Sequence, residues 1–198
     1  EVAVPAQTGG GAGRPPVVPA AAPEYVRVVA AAVMAGRGDE LPVSALFADG
    51  TFPTATARWE KRGIAAEIPV WDERWCIQCN KCAFVCPHAA VRVKAFPAAA
   101  LAGAPAAFKA VPWKGRDLPE GSRYSVQVAP EDCTGCSLCV MVCPARDKAN
   151  PRHQAIDLAP QRPIRERERA AYQFFLDLPE VNRAQITRHN AKTSQLLL

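Results

Sequence analysis

The eight cysteines of this chain fall in two runs of identical spacing. The first runs from Cys76 through Cys79 and Cys82 to Cys86-Pro87, the second from Cys133 through Cys136 and Cys139 to Cys143-Pro144. Each reads C-x2-C-x2-C-x3-C-P, a pattern that ligates iron–sulfur clusters through thiolates. Three cysteines at two-residue intervals wrap a tight loop around one corner of a cubane and turn backbone N–H groups toward its sulfurs. The fourth sits one residue further on, where a short helix is expected to begin, and so points to the other cluster. The spacing therefore assigns Cys76, Cys79, Cys82 and Cys143 to one [4Fe-4S] cluster. Cys133, Cys136, Cys139 and Cys86 go to a second. The proline after each fourth cysteine fixes φ and removes a donor, steering the chain out of the site.

Other cysteine chemistries fit less well. Disulfides need an oxidising compartment, and nothing in the sequence routes the chain to one. Structural zinc usually shows paired C-x2-C knuckles separated by a long gap. Free structural cysteines would not recur twice at one spacing. Between the ligands, Ile77, Phe84, Val85, Leu138, Val140 and Val142 are expected to form an apolar shell that excludes water, or simply core. With clusters as the core, the bare chain should fold poorly. His88 reads as a proton carrier or, better, as a residue beside the cluster. Lys81 and Arg92 either offset cluster charge or are solvated. No residue reads as catalytic; the chemistry expected is electron transfer.

The 198 residues (21.3 kDa) suffice for one domain and a small companion. A formal charge of +5 falls to roughly +1 once two clusters at about −2 each are counted. Lys and Arg are scattered, and Arg165-Glu166-Arg167-Glu168-Arg169 alternates in sign like a solvated helix face. Nucleic-acid binding is therefore not expected. The longest apolar run, Val28 to Ala35, is well short of the ~20 residues of a membrane span. With no secretory signal, a cytoplasmic location is expected. The start at Glu1, without Met, reads as the edge of a segment cut from a longer polypeptide.

Positioning these loops requires a scaffold. Residues 1–23, rich in Gly, Ala and Pro, read as a linker. A short helical stretch from Tyr25 to Met34 opens a connecting arm, 24–70, where Asp49-Gly50 and the prolines at 42, 53 and 69 mark turns without a period. The cluster-bearing part is 71–160. Val91-Arg92-Val93-Lys94 and Tyr124 to Val128 alternate as strands do, and the Ala/Pro-rich segment 95–121 reads as an inserted surface excursion. Pro163 to Asp177 predicts a helix with proline in its first turn, within a C-terminal helical linker, 161–198. An apolar end at Leu196-Leu197-Leu198 suits an excised segment. Each half supplies a strand, a cysteine loop with a short helix, and a returning strand. The expected fold is α+β, a pseudo-twofold bacterial-type 2[4Fe-4S] ferredoxin domain with an extended N-terminal arm.

Several stretches resemble the central segment of pyruvate:ferredoxin (flavodoxin) oxidoreductases. They are Leu41-Pro42-Val43-Ser44-Ala45, Asp49-Gly50-Thr51-Phe52-Pro53-Thr54, Glu60-Lys61-Arg62, Ile68-Pro69-Val70-Trp71-Asp72, both cysteine runs, and Asn182-Arg183-Ala184-Gln185. The resemblance covers about residues 24–198, with Ala55 and Ser137 standing where glycine is expected. It implies a connecting domain around Glu60-Lys61-Arg62, a ferredoxin-like domain, and an enzyme that turns pyruvate and CoA into acetyl-CoA and CO2. It also implies a thiamine-diphosphate domain of the same enzyme, with Mg and a third cluster, beyond Leu198. Ferredoxin or flavodoxin would be the acceptor and the full-length enzyme a homodimer. A free-standing two-cluster carrier and an electron-transfer subunit of another redox complex are the alternatives.

Overall fold

The structure, a computed structural model, describes residues 17–188 and 190–197; Gly9-Gly10-Gly11 and Pro15-Pro16 of the expected linker, and Leu198, lie outside them. The chain divides into two compact units, one ending at Arg62 and one beginning at Gly63. In the first unit a π-helical turn, Val26–Ala30, runs into α1, Ala31–Met34. Spacing of Val18, Ala22, Val26 and Ala30 places them on one face, where they pack with Met34 and Trp59. Tyr25 stacks on Phe47 at 4.9 Å and meets Phe52 edge-on at 5.4 Å, so aromatic contacts order a unit that has no strands among its described residues.

The second unit alternates strands and cysteine loops. In chain order it comprises β1 (Glu67–Trp71), α2 (Lys81–Val85), β2 (Val91–Phe96), β3 (Val111–Pro112), β4 (Arg123–Val128), α3 (Leu138–Met141), β5 (Ile156–Pro160), α4 (Gln161–Asp177) and α5 (Ala191–Ser194). β1 pairs antiparallel with β5, Trp71 opposite Ile156; β2 pairs antiparallel with β4, Val93 opposite Val126, and β4 also carries β3. The succession strand, cysteine loop, short helix, strand occurs twice, as β1–α2–β2 and β4–α3–β5. Helix and strand content is mixed, as an α+β fold requires.

One expectation changes here. The short helices begin just before the third cysteine and end before the fourth: Cys82 and Cys139 lie in the first turns of α2 and α3, and Cys86 caps the end of α2. The left-handed Asn80 and Ser137 end each loop and launch the helix at once. The segment 95–121 is tied to the rest of this unit by specific contacts. Lys109 Nζ donates to Trp71 O at 2.7 Å, Lys114 Nζ to Cys76 O at 2.8 Å, and Phe108 packs with Phe96 and Phe174. Its few large side chains are spent on contacts, which a reading of average composition cannot show.

The alternating strands are also buried on both faces. Lys94, Ser125 and Gln127 are each under 5% exposed, because each finds a partner indoors. Ser125 Oγ donates to Lys109 O, and Gln127 Nε2 to Ser125 Oγ. Lys94 Nζ donates to Leu178 O at 2.8 Å, lies 2.7 Å from Glu180 Oε1 and sits over the Phe175 ring, capping the last turn of α4.

Candidate metal centre

The two cysteine loops have one backbone design. Gln78 and Gly135, two residues after the first cysteine of each run, have φ of 57° and 72°; Asn80 and Ser137, two further on, have 61° and 64°. Left-handed residues at alternate positions curl a loop tightly and turn its N–H groups inward. Gln78 N–H points to Cys76 Sγ at 3.3 Å and Gly135 N–H to Cys133 Sγ at 3.4 Å, the same bond in both loops. Such bonds stabilise negative charge on sulfur.

Each loop, with one distant cysteine, lines a cavity. Cys76, Cys79, Cys82 and Cys143 line one, and Cys133, Cys136, Cys139 and Cys86 line the other. Among the described residues no three His, Cys, Asp or Glu side chains converge as the ligands of a single metal ion. Four thiols spread around a cavity fit the donor set of a polynuclear cluster, whose corners lie apart. Burial pushes four of the thiols toward their neutral form: Cys139 to about 11, Cys82 further, Cys76 and Cys133 upward as well. Neighbouring thiols add to the rise, so a cationic iron centre is what would make thiolates stable there.

A polar and aromatic frame surrounds the first cavity. Tyr124, fully buried, donates its OH to Asn80 Oδ1 at 2.6 Å, and Asn80 Nδ2 donates to Lys192 O at 2.6 Å. Gln78, equally buried, donates from Nε2 to Pro112 O and accepts from Lys114 N–H, both at 2.8 Å. Trp71 and Trp113 flank Tyr124 at 6.0 and 5.7 Å. Trp71 is 5% exposed and its Nε1–H has no hydrogen-bond partner. A buried donor left over at the wall of a thiol-lined cavity fits a sulfur-bearing group inside it.

The second cavity is framed more simply, by Pro69, His88, Ala90, Thr134, Leu138 and Leu158 among others, with Cys136 exposed. His88 therefore does stand beside a cysteine set, whereas Lys81 is exposed and Arg92 interacts with Tyr172. The expected apolar shell is incomplete: Ile77, Phe84 and Leu138 are 52%, 64% and 39% exposed. Ile77 and Leu138 nonetheless each line a cysteine cavity, the first and the second respectively, while Phe84 lines neither. Trp71, Gln78, Asn80 and Tyr124 were not apparent as site residues from spacing alone. Aligning the runs pairs Gln78 with Gly135, a hint of shared left-handed backbone.

Comparison with known proteins agrees with this chemistry. Residues 75–146 match a family described as a 4Fe-4S dicluster domain, and residues 12–65 match EKR, a domain of unknown function. The chain is 53% identical over 186 residues to a probable pyruvate-flavodoxin oxidoreductase of Escherichia coli, covering 94% of this chain and 16% of that protein. Identity is 49% over 183 residues with a pyruvate-flavodoxin oxidoreductase of Rhodospirillum rubrum, 92% of this chain and 15% of the relative. With the pyruvate:ferredoxin oxidoreductase of Moorella thermoacetica it is 45% over 159 residues, 80% and 13%. The chain thus spans about a sixth of the length of these relatives.

Proposed function

This chain is a segment of the pyruvate-flavodoxin oxidoreductase family, and from that premise we propose that it conducts electrons within a pyruvate (2-oxoacid) oxidoreductase making acetyl-CoA and CO2. Cys76, Cys79, Cys82 and Cys143 hold one [4Fe-4S] cluster; Cys133, Cys136, Cys139 and Cys86 hold the other. When bound, each cluster supplies a site that takes up and releases one electron. The chain's own residues hold it, direct N–H groups at its sulfurs and limit water. The observation that carries this reading is the grouping of each loop with the distant fourth cysteine of the other around one cavity.

In this reading the two halves are related by a pseudo-twofold exchange of that cysteine. Residues 1–23 are a linker, 24–70 the connecting arm, 71–160 the electron-carrying part with 95–121 inserted, and 161–198 a helical linker toward a thiamine-diphosphate domain. That domain, with its Mg and a third cluster, performs the decarboxylation, and ferredoxin or flavodoxin takes the electrons. A homodimeric full-length enzyme in the cytoplasm is the assembly the resemblance implies; reduced thiols suit that compartment. Among the described residues no helix is long and apolar enough to cross a membrane.

Iron counts in paired variants test the ligand exchange. Anaerobic wild-type chain should hold about eight iron and eight sulfide. Adding Cys143→Ser to Cys79→Ser should leave about four iron, because both belong to one cluster, whereas adding it to Cys136→Ser should leave almost none. The reverse pattern would show that each run keeps its own fourth cysteine.

A further inference from the structure

The first cavity is walled by three side chains other than cysteine that can donate a hydrogen bond, Trp71, Asn80 and Tyr124. Two are committed elsewhere: Tyr124 OH donates to Asn80 Oδ1, and Asn80 Nδ2 donates to Lys192 O. The indole of Trp71 is not. It is held rigidly by the end of β1, where Trp71 pairs with Ile156, and by the edge-on contact with Tyr124. Its Nε1 is buried without a partner. The N–H faces Cys76 without reaching the geometry of a hydrogen bond to it. No tryptophan lines the second cavity, where β1 contributes Pro69.

We propose that the Trp71 Nε1–H donates a hydrogen bond to the sulfur of the cluster held by Cys76, Cys79, Cys82 and Cys143, and thereby raises the reduction potential of that cluster alone. Reduction adds one electron, and the extra charge is spread over the sulfurs. A fixed N–H dipole aimed at those sulfurs stabilises the reduced form more than the oxidised one. The two cysteine sets are alike in spacing and in their loop N–H to sulfur bonds, so this indole is a polar difference between them. It acts as a tuning residue, setting the relative ease with which the two sites accept an electron. The inference rests on the proposed occupancy of the first cavity.

The test is Trp71→Phe in the cluster-loaded chain, which keeps a ring against Tyr124 and deletes the N–H. A redox titration followed by electron paramagnetic resonance should show one cluster harder to reduce by about tenfold in its equilibrium, 59 mV for one electron, with the other unchanged. Unchanged potentials, or equal movement of both, would overturn the proposal. Wild-type protein labelled with ¹⁵N in the indole provides a second readout that does not depend on the variant folding. Electron–nuclear double resonance on the reduced protein should show coupling to the indole nitrogen and to an exchangeable proton, and its absence overturns the proposal. Wild-type protein with well under about eight iron and sulfide overturns the reading beneath it, and the proposal with it. Full content with no indole coupling overturns the proposal alone.

Discussion

Replacing Gln78 with leucine tests whether the segment 95–121 holds the first cysteine loop in shape. Gln78 is fully buried, with two side-chain bonds to that segment, Nε2 to Pro112 O and Lys114 N–H to Oε1, both at 2.8 Å. A net protein hydrogen bond contributes about 0.5–1.5 kcal/mol. Pro112 and Lys114 are themselves exposed, so water recovers part of what is lost. A total near 2 kcal/mol follows, roughly 30-fold in an equilibrium constant. Iron loss to a chelator passes through local opening of the loop, and this is the equilibrium the side chain controls. Under anaerobic conditions the iron-loss trace of Gln78→Leu should therefore contain one phase accelerated up to about 30-fold and one at the wild-type rate. Gln78→Gly loses the same bonds but also relieves a left-handed non-glycine residue, φ 57°, a strain of about 1 kcal/mol. It should fall between leucine and wild type. Equal acceleration of both phases, no acceleration, or a glycine variant leakier than leucine would refute the reasoning.

Lys94→Met should lower the melting temperature far more than Glu180→Gln. The first strips a 5%-exposed ammonium from two carbonyls and a carboxylate, about 2–4 kcal/mol, while the second removes a 64%-exposed partner, under about 1 kcal/mol. At 2–4 °C per kcal/mol for a chain of this size, calorimetry separates them. Clusters should be held more firmly as pH rises, because buried thiols must release protons to bind iron, up to roughly tenfold per pH unit for each thiol still protonated. Chelator competition at pH 7 and 8.5, corrected for the chelator's own protonation, measures this. The bare fold should respond with the opposite sign. Stability from its neutral thiols is complete below the ordinary value near 9 and, for Cys139, is lost as pH passes about 11, as urea unfolding of metal-free chain would show. Ser137→Gly should raise the melting temperature slightly, through a stability gain of up to about 1 kcal/mol, since Ser137 sits at φ 64° and the strain glycine relieves exceeds its entropic cost.

The ligand chemistry was legible in the cysteines because cluster binding fixes residue type and spacing together. β2, β4 and α4 were legible because their periods are those of the regular structure, and proline marks the start of the helix. The two positions where glycine was expected, Ala55 and Ser137, both proved left-handed, at φ 60° and 64°: the resemblance carried backbone information. What escaped was long-range. β1 contains Pro69 and follows a run of turn signals, and its pairing with β5 depends on residues some ninety positions away. Asn80 meets Lys192, and Gln78 meets Pro112, through single backbone carbonyls that leave no mark on composition or period. The burial of the polar residues of β2 and β4 was not legible, because alternation cannot tell water from a buried partner.

The frame around the first loop also bears on timing. A chain synthesised from its N-terminus presents Cys86, Cys133, Cys136 and Cys139 together before Cys143 has emerged. The set of Cys76, Cys79, Cys82 and Cys143 completes only four residues later, and the carbonyl that secures Asn80 belongs to Lys192, well downstream of both cysteine runs. Two loops of one design are thereby given an order of maturation. The second set can be filled before residue 143 is made, whereas the frame of the first is complete only when the stretch around Lys192 folds back over it.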